Sequence, residues 1–400
     1  MTQMANPTAP TGIKVALSLD PPGPTFYIGR NACMPQIRAT ATVTGADAVA
    51  LQGATYNWVV TLVMQNKKVP LSMGRSVAHP PINRTGGPTL VLPFTKVRGG
   101  QLTVTVTVRA PGLVSPTTPA LPPSALTASR SDLQILGTNP TENDLIAEGA
   151  SDLMIKIIRH ESSTRQFLEA GSTAPGYPLF SQDHKGGVGL TQLTRPAPSD
   201  DEIWDWKANL RGGIAVLAKK TRYARNYLIG YASSSEFTEL VKAYNEARAR
   251  VVIPKPGMPP ASPATPPLPL AVTLPAPTSD QIDRETLRAY NGYGRGLTDP
   301  DSKTVYYLPE YVAKIGTDGL LEVAVGADGR TGAAHWHENT AADREKFWRD
   351  KKLIEPNSKG QYIYPGDPDY VANVLKVAIT DPPAPRVQSI SGALLSTPER

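Results

Sequence analysis

The chain has 400 residues, 40% of them hydrophobic and 19% charged, more than one ordinary core holds, which predicts two or three globular units. Forty prolines gather in a few stretches that read as linkers or extended loops, and the single cysteine, Cys33, excludes an internal disulfide framework and fits a reducing cytoplasm. The net charge of +6 is uneven: residues 1–130 carry eleven Lys and Arg against only Asp20 and Asp47, so an anionic partner or a solvated basic face is expected there.

Residues 1–11 read as a flexible N-terminus without the basic-then-apolar pattern of a secretory leader, and no apolar run is long enough to cross a bilayer. The expectation is synthesis in the cytoplasm without a signal peptide and no membrane insertion. From residue 12 to 112 the chain reads as short strands rich in β-branched residues: "IKVALSLD", "IRATATVTG", "ATYNWVVTLVM", "TLVLPF" and "QLTVTVTVRA". Leu102, Val104, Val106 and Val108 alternate with Thr103, Thr105, Thr107 and Arg109, and Trp58 falls on a central strand as a core residue. These features predict an N-terminal all-β immunoglobulin-like sandwich, without a disulfide, as a docking or binding domain. Residues 113–150 read as a Pro-rich linker and lead-in.

Helical periodicity then prevails, with helices expected over Ser151 to about Phe167, about Trp206 to Ile229 and about Glu236 to Arg250. Ser151 is a plausible N-cap. Residues 252–278 are too proline-rich for helix and read as an insertion, helical pattern resuming near Asp280. The second domain is thus predicted over 151–380, mainly α, with 381–400 as a C-terminal tail; residues 316–360 fit no element.

In "IIRHESSTRQF" the apolar residues Leu153, Met154, Ile157 and Ile158 place Glu161 on the face of its helix that should be buried. Burial disfavours an ionised carboxylate, so its pKa should rise, as a general acid acting on a glycosidic oxygen requires. The stripe alone fits equally a glutamate that swings to water or pairs with Arg159 or Arg165. Four segments add to it: Glu161-Ser162, Gly189-Leu190-Thr191-Gln192, Asn209 to Gly213, and Ala289-Tyr290-Asn291-Gly292. In this order they resemble the motifs of the lysozyme-like lytic transglycosylases, goose-type lysozymes included, over about residues 151–376.

The resemblance implies a lysozyme-like fold for the second domain and cleavage of the MurNAc-GlcNAc β-1,4 bond of peptidoglycan. Glu161 would be the catalytic acid and base. Gln192 would contact the sugar from a strand lining the cleft, Tyr290 would position Glu161 or the developing charge at the anomeric carbon, Asn291 would join it in binding substrate, and Ser162 would orient Glu161 or the substrate N-acetyl group. Asn209 would buttress the fold. Three departures stand out: Thr191 where the family prefers methionine, Glu161 and Gln192 thirty-one positions apart, and the proline-rich block before Tyr290. A second Ala-Tyr-Asn, at Ala243 to Asn245, lies in a charged helix and lacks the glycines.

Hydrolysis with inversion would need a second carboxylate roughly 6.5–9.5 Å from the first, for which Asp183 in "SQDHKGGVG" is the candidate, although an Asp there also suits a turn. A transglycosylase needs none. The "HWHE" segment, His335 to Glu338, has metal-compatible spacing but no evident third ligand, and no dinucleotide fingerprint, Walker loop or nucleic-acid-reading motif occurs, so no cofactor, metal or nucleic acid is expected. Expected partners are peptidoglycan glycan strands, a secretion-spike or tail protein bound through the basic N-terminal part, and an immunity protein. The expected site of action is the periplasm or cell wall, reached through a contractile secretion or phage machine. The alternative is a docking protein of a phage tail or spike whose lysozyme-like domain is degenerate.

Overall fold

A computed structural model describes residues 12–65, 77–111, 125–181, 186–250, 267–291, 308–350, 356, 360 and 367–379. The β-branched runs form β1 (Lys14–Asp20), β2 (Thr25–Tyr27), β3 (Arg38–Thr44), β4 (Thr55–Met64), β5 (Val77–Ala78), β6 (Ile82–Gly86), β7 (Thr89–Val91), β8 (Gly100–Arg109) and β9 (Leu126–Leu136). They build a three-stranded sheet, β1-β3-β7, and a six-stranded one in the order β2-β9-β8-β4-β5 with β6 also on β4. The alternation in β8 sends Leu102, Val104, Val106 and Val108 inward at 0% exposure, opposite Trp58, Val60 and Leu62 of β4. Apolar burial of this kind stabilises by about 2 kcal/mol per large side chain before the entropic cost of ordering the chain.

The second half begins with α1 (Glu142–Ala147) and α2 (Asp152–Ser162). Ser151 caps α2 by accepting the Met154 N–H, and Ser163 ends it in the left-handed conformation, five residues short of the expected boundary. Next come α3 (Asp200–Trp204), the long α4 (Trp206–Tyr231), α5 (Ser235–Arg250), β10 (Ala271–Thr273) and α6 (Ser279–Tyr290). The chain continues through β11 (Tyr311–Ala313), β12 (Val323–Val325), β13 (Thr331–Ala334), β14 (Trp336–Glu338), α7 (Ala341–Asp350) and α8 (Tyr370–Leu375).

The expected division into an all-β immunoglobulin-like domain and a mainly α lysozyme-like domain is overturned. The fold as a whole is mixed, about 31% helical and 29% strand, with several small sheets. Five strands lie in the second half, as the sheets β10-β13-β12 and β11-β14, and β10 falls inside the stretch expected to be an irregular insertion. Runs of three or four residues are too short to show a period of two, so the helical signal around them dominated the reading. One of the three apolar clusters is shared between the halves, while the buried residues of the other two come from the second half alone. Phe167, Tyr177, Phe180, Val188, Ile203 and Trp204 pack in one cluster with Trp58, Leu102 and Ile135. Gly99 makes that junction possible: a Cβ there would lie 2.1 Å from the Trp204 ring.

The stretch expected to be linker contains β9, which pairs with both β8 and β2. Its first seven residues are at most half-buried, so their polar composition concealed the strand. No helix among the described residues is long and apolar enough to cross a membrane.

Candidate active site

The apolar stripe of α2 enters a second cluster in which Met154, Ile157 and Ile158 meet Leu190, Trp206, Leu210, Leu287, Tyr370 and Val371. This packing brings the C-terminal turn of α2, the segment from Val188 to Leu193, the end of α6 and the start of α8 together. Glu161 lies at the edge of that cluster, half-buried. The Tyr370 hydroxyl donates to Glu161 Oε1 at 2.6 Å, and the Tyr370 ring stands edge-on to His160 with centroids 5.1 Å apart. Burial first, and the negative charge of Glu161 second, hold the Tyr370 phenol well above its ordinary pKa, so it stays protonated and able to donate. The same two causes in the same order raise Tyr290.

Gly189 to Gln192 form a turn and not the strand expected, bridged by Val188 N–H to the Leu193 carbonyl at 3.1 Å. Two residues take the left-handed conformation, Gly189 at φ 70° and Gln192 at φ 48°. At Gly189 only glycine fits for a further reason: a Cβ would fall 2.1 Å from Gln166 Oε1. Gln166 itself is wholly buried, accepting the Leu190 N–H at 3.1 Å and donating to the carbonyls of Glu202 and Ile203. No periodicity marks Gln166 in the sequence, because it follows the end of α2 in an irregular segment.

Asn209, near the start of α4, holds the turn from the other side. Its Oδ1 accepts the N–H of Thr191 at 3.1 Å and the Thr191 hydroxyl at 3.0 Å, while Nδ2 donates to the carbonyls of Val188 and Glu202. Thr191 therefore has a hydroxyl role that methionine could not fill. Gly213, one turn along the helix, leaves room for the Thr191 methyl, which a Cβ would approach to 2.4 Å. The Asn209 to Gly213 spacing is thus one satisfied polar anchor and one gap on the same helix face.

The structure places the remaining candidates as follows. Ser162 is buried, its Oγ 2.9 Å from the Leu190 carbonyl and 3.0 Å from that of Ile158, so it ties α2 to the turn. The Tyr290 hydroxyl donates to the Thr191 carbonyl at 3.0 Å. The Gln192 amide donates to Gly189 within its own turn, and Asn291 donates to the Asp367 carbonyl at 3.0 Å, beneath α8. Asp183 lies outside the described residues. Tyr370, at the start of α8, reaches Glu161.

The second Ala-Tyr-Asn lies in α5, where Asn245 bonds both backbone groups of Leu270 and Tyr244 packs in a third cluster around Tyr231 and Phe237. His335 approaches Glu322 at 3.4 Å and His337 approaches Asp343 at 3.9 Å. Among the described residues no group of three or more His, Cys, Asp or Glu is placed to hold a metal. Cys33 is exposed, its Sγ 2.8 Å from Asn31 Oδ1. No protein-family model, no curated protein and no solved structure matches the chain.

Proposed function

We propose that the protein cleaves the MurNAc-GlcNAc β-1,4 bond of peptidoglycan, with Glu161 as general acid and then general base. The observation that carries this reading is the half-buried Glu161 at the end of α2 with a buried, protonated phenol 2.6 Å away, beside the motif turn. In the first step the Glu161 carboxyl gives its proton to the bridging oxygen as the C1–O bond breaks, and the Tyr370 hydroxyl donates to the carboxylate that results. That carboxylate then removes the proton of the attacking hydroxyl. Attack by the muramic 6-hydroxyl leaves a 1,6-anhydro end, and attack by water leaves a reducing end. The four motifs resembling lytic transglycosylases support the same substrate. A contractile secretion or phage machine is the proposed delivery route, with the basic N-terminal half as docking surface and an immunity protein as a further partner; secretion of the intact chain independent of any such apparatus would contradict it.

A docking protein with a degenerate site is the second reading. It is favoured by Gln192 and Asn291, whose amides both go to backbone carbonyls. Peptidoglycan sacculi incubated with the protein and with a Glu161→Gln variant decide between the two. Mass spectrometry should find soluble anhydro or reducing disaccharide fragments that vanish with Glu161→Gln; fragments in neither sample would favour docking.

A further inference from the structure

Two residues before Tyr370, the Pro368 carbonyl accepts from two guanidinium groups, Arg344 Nε at 2.9 Å and Arg288 Nη2 at 3.2 Å. Both arginines also bind one carboxylate oxygen, Glu310 Oε2, at 2.8 Å from Arg288 Nε and 3.2 Å from Arg344 Nη1. Arg344 bonds the Asn339 carbonyl as well. Glu285 pins Glu310 in turn by accepting the backbone N–H groups of Glu310 and Tyr311 at 2.8 and 3.2 Å. All four charged side chains are buried.

Buried ion networks of this kind often add no net stability over an apolar core, so what this one contributes is sought in placement. The segment it grips needs placing. α8 has six residues, and its N-cap Asp369 makes no side-chain capping bond; locally the start is held by the Asp367 carboxylate, which accepts the Asp369 N–H at 2.8 Å and the Asn373 amide at 2.9 Å. What ties that segment to the rest of the protein is Arg288 of α6 and Arg344 of α7 on Pro368, and Asn291 just past α6 on the Asp367 carbonyl. The first residue of α8 is Tyr370, whose hydroxyl meets Glu161.

We propose that Arg288, Glu310 and Arg344 are positioning residues that set the Tyr370 hydroxyl against Glu161 through the Pro368 carbonyl. Their effect on rate rests on the glycosidase reading above; the placement itself does not. Lysine keeps the charge but loses the fork that spans Pro368 and Glu310. With sacculi or soluble glycan strands as substrate, Arg344→Lys should lower kcat about tenfold with KM within about twofold, since a small misplacement of a reacting group costs rate and not binding. Tyr370→Phe should cost at least as much, and the double variant no more than Tyr370→Phe alone. Arg211→Met, which removes a surface pair between α4 and Glu148 at the end of α1, should leave activity unchanged. Multiplicative losses in the double variant would overturn the proposal.

A second measurement is independent of activity. In protein labelled with carbon-13 at the tyrosine Cζ, the Tyr370 resonance is the one missing in Tyr370→Phe and displaced in Glu161→Gln. It should move in the same direction in Arg344→Lys and in Arg288→Lys, whichever of the two retains the wild-type circular dichroism. An unmoved resonance overturns the clamp whether or not the protein cuts glycans. Absence of Glu161-dependent cleavage in the wild type defeats the glycosidase reading alone and leaves the resonance to decide the clamp.

Discussion

Two glutamates in this protein sit on apolar helix faces, and they have opposite surroundings. Glu161 ends α2 half-buried, with a phenol at its oxygen. Glu285 lies inside α6 among Ile282, Leu287 and Ala289, at 1% exposure, bonded to two backbone N–H groups and next to the Arg288–Glu310–Arg344 network. Burial, with the charge of Glu310 second, pushes the Glu285 carboxyl up to about 8. Both lie on the face of their helix that packs inward. What separates them is access: a proton donor must reach a substrate oxygen, and only Glu161 keeps an exposed side from which that can happen.

The sharpest way to break this contrast is to exchange each carboxyl for an amide. Glu161→Gln should reduce glycan cleavage by about 10³-fold or more, within the range of a lost general acid, while Glu285→Gln should leave kcat within a few-fold. Fragment release from sacculi measures both, and equal losses would end the distinction. Asn209→Ala tests the frame of the Glu161 side. It leaves the Thr191 N–H and the Val188 carbonyl without this partner and takes one of two bonds from the Thr191 hydroxyl and from the Glu202 carbonyl, and should cost about 3 kcal/mol in urea unfolding. Gly213→Ala pushes a methyl into Thr191 and should cost about 2 kcal/mol, a loss that Thr191→Ser, which removes the obstructing methyl, should partly relieve.

Per pH unit the smallest effect is that of Glu285 on stability. Its folded pKa stands above the ordinary 4.5, so between about 4.5 and about 8 the folded state keeps a proton that the unfolded state has lost. The stabilisation is full below the unfolded pKa and is lost as pH rises toward the folded one. Stability should therefore fall with rising pH in that window by at most about 1.4 kcal/mol per pH unit, the limit for one proton. Thermal or urea unfolding of wild type and Glu285→Gln at pH 5, 6, 7 and 8 should show a shallower slope in the variant. Parallel slopes would mean that Glu285 is ionised in the folded protein.

How far the sequence reached differs between strands and site. The alternation of β8 is visible letter by letter, because period two survives over ten residues and its apolar set is wholly buried. β9 is not visible, since most of it lies at the surface and carries polar residues, and β10 to β14 are too short for any period to register. That is also why the expected mainly α second half was wrong. Trp204 and Phe167 carry no mark that they would complete the core of the β sheets across that boundary.

At the candidate site, the sequence by itself determined that an acid would fall on the apolar stripe of α2 and that Asn209 and Gly213, four positions apart, would share one face of a helix. These follow from local geometry, in which spacing along the chain fixes direction. Only the tertiary structure decided which side chains meet. Tyr370 stands 209 positions from Glu161, and its hydroxyl arrives because α8 is held by arginines from α6 and α7. Nothing local encodes such a meeting, since it depends on how distant elements pack and on which buried polar groups must find partners there.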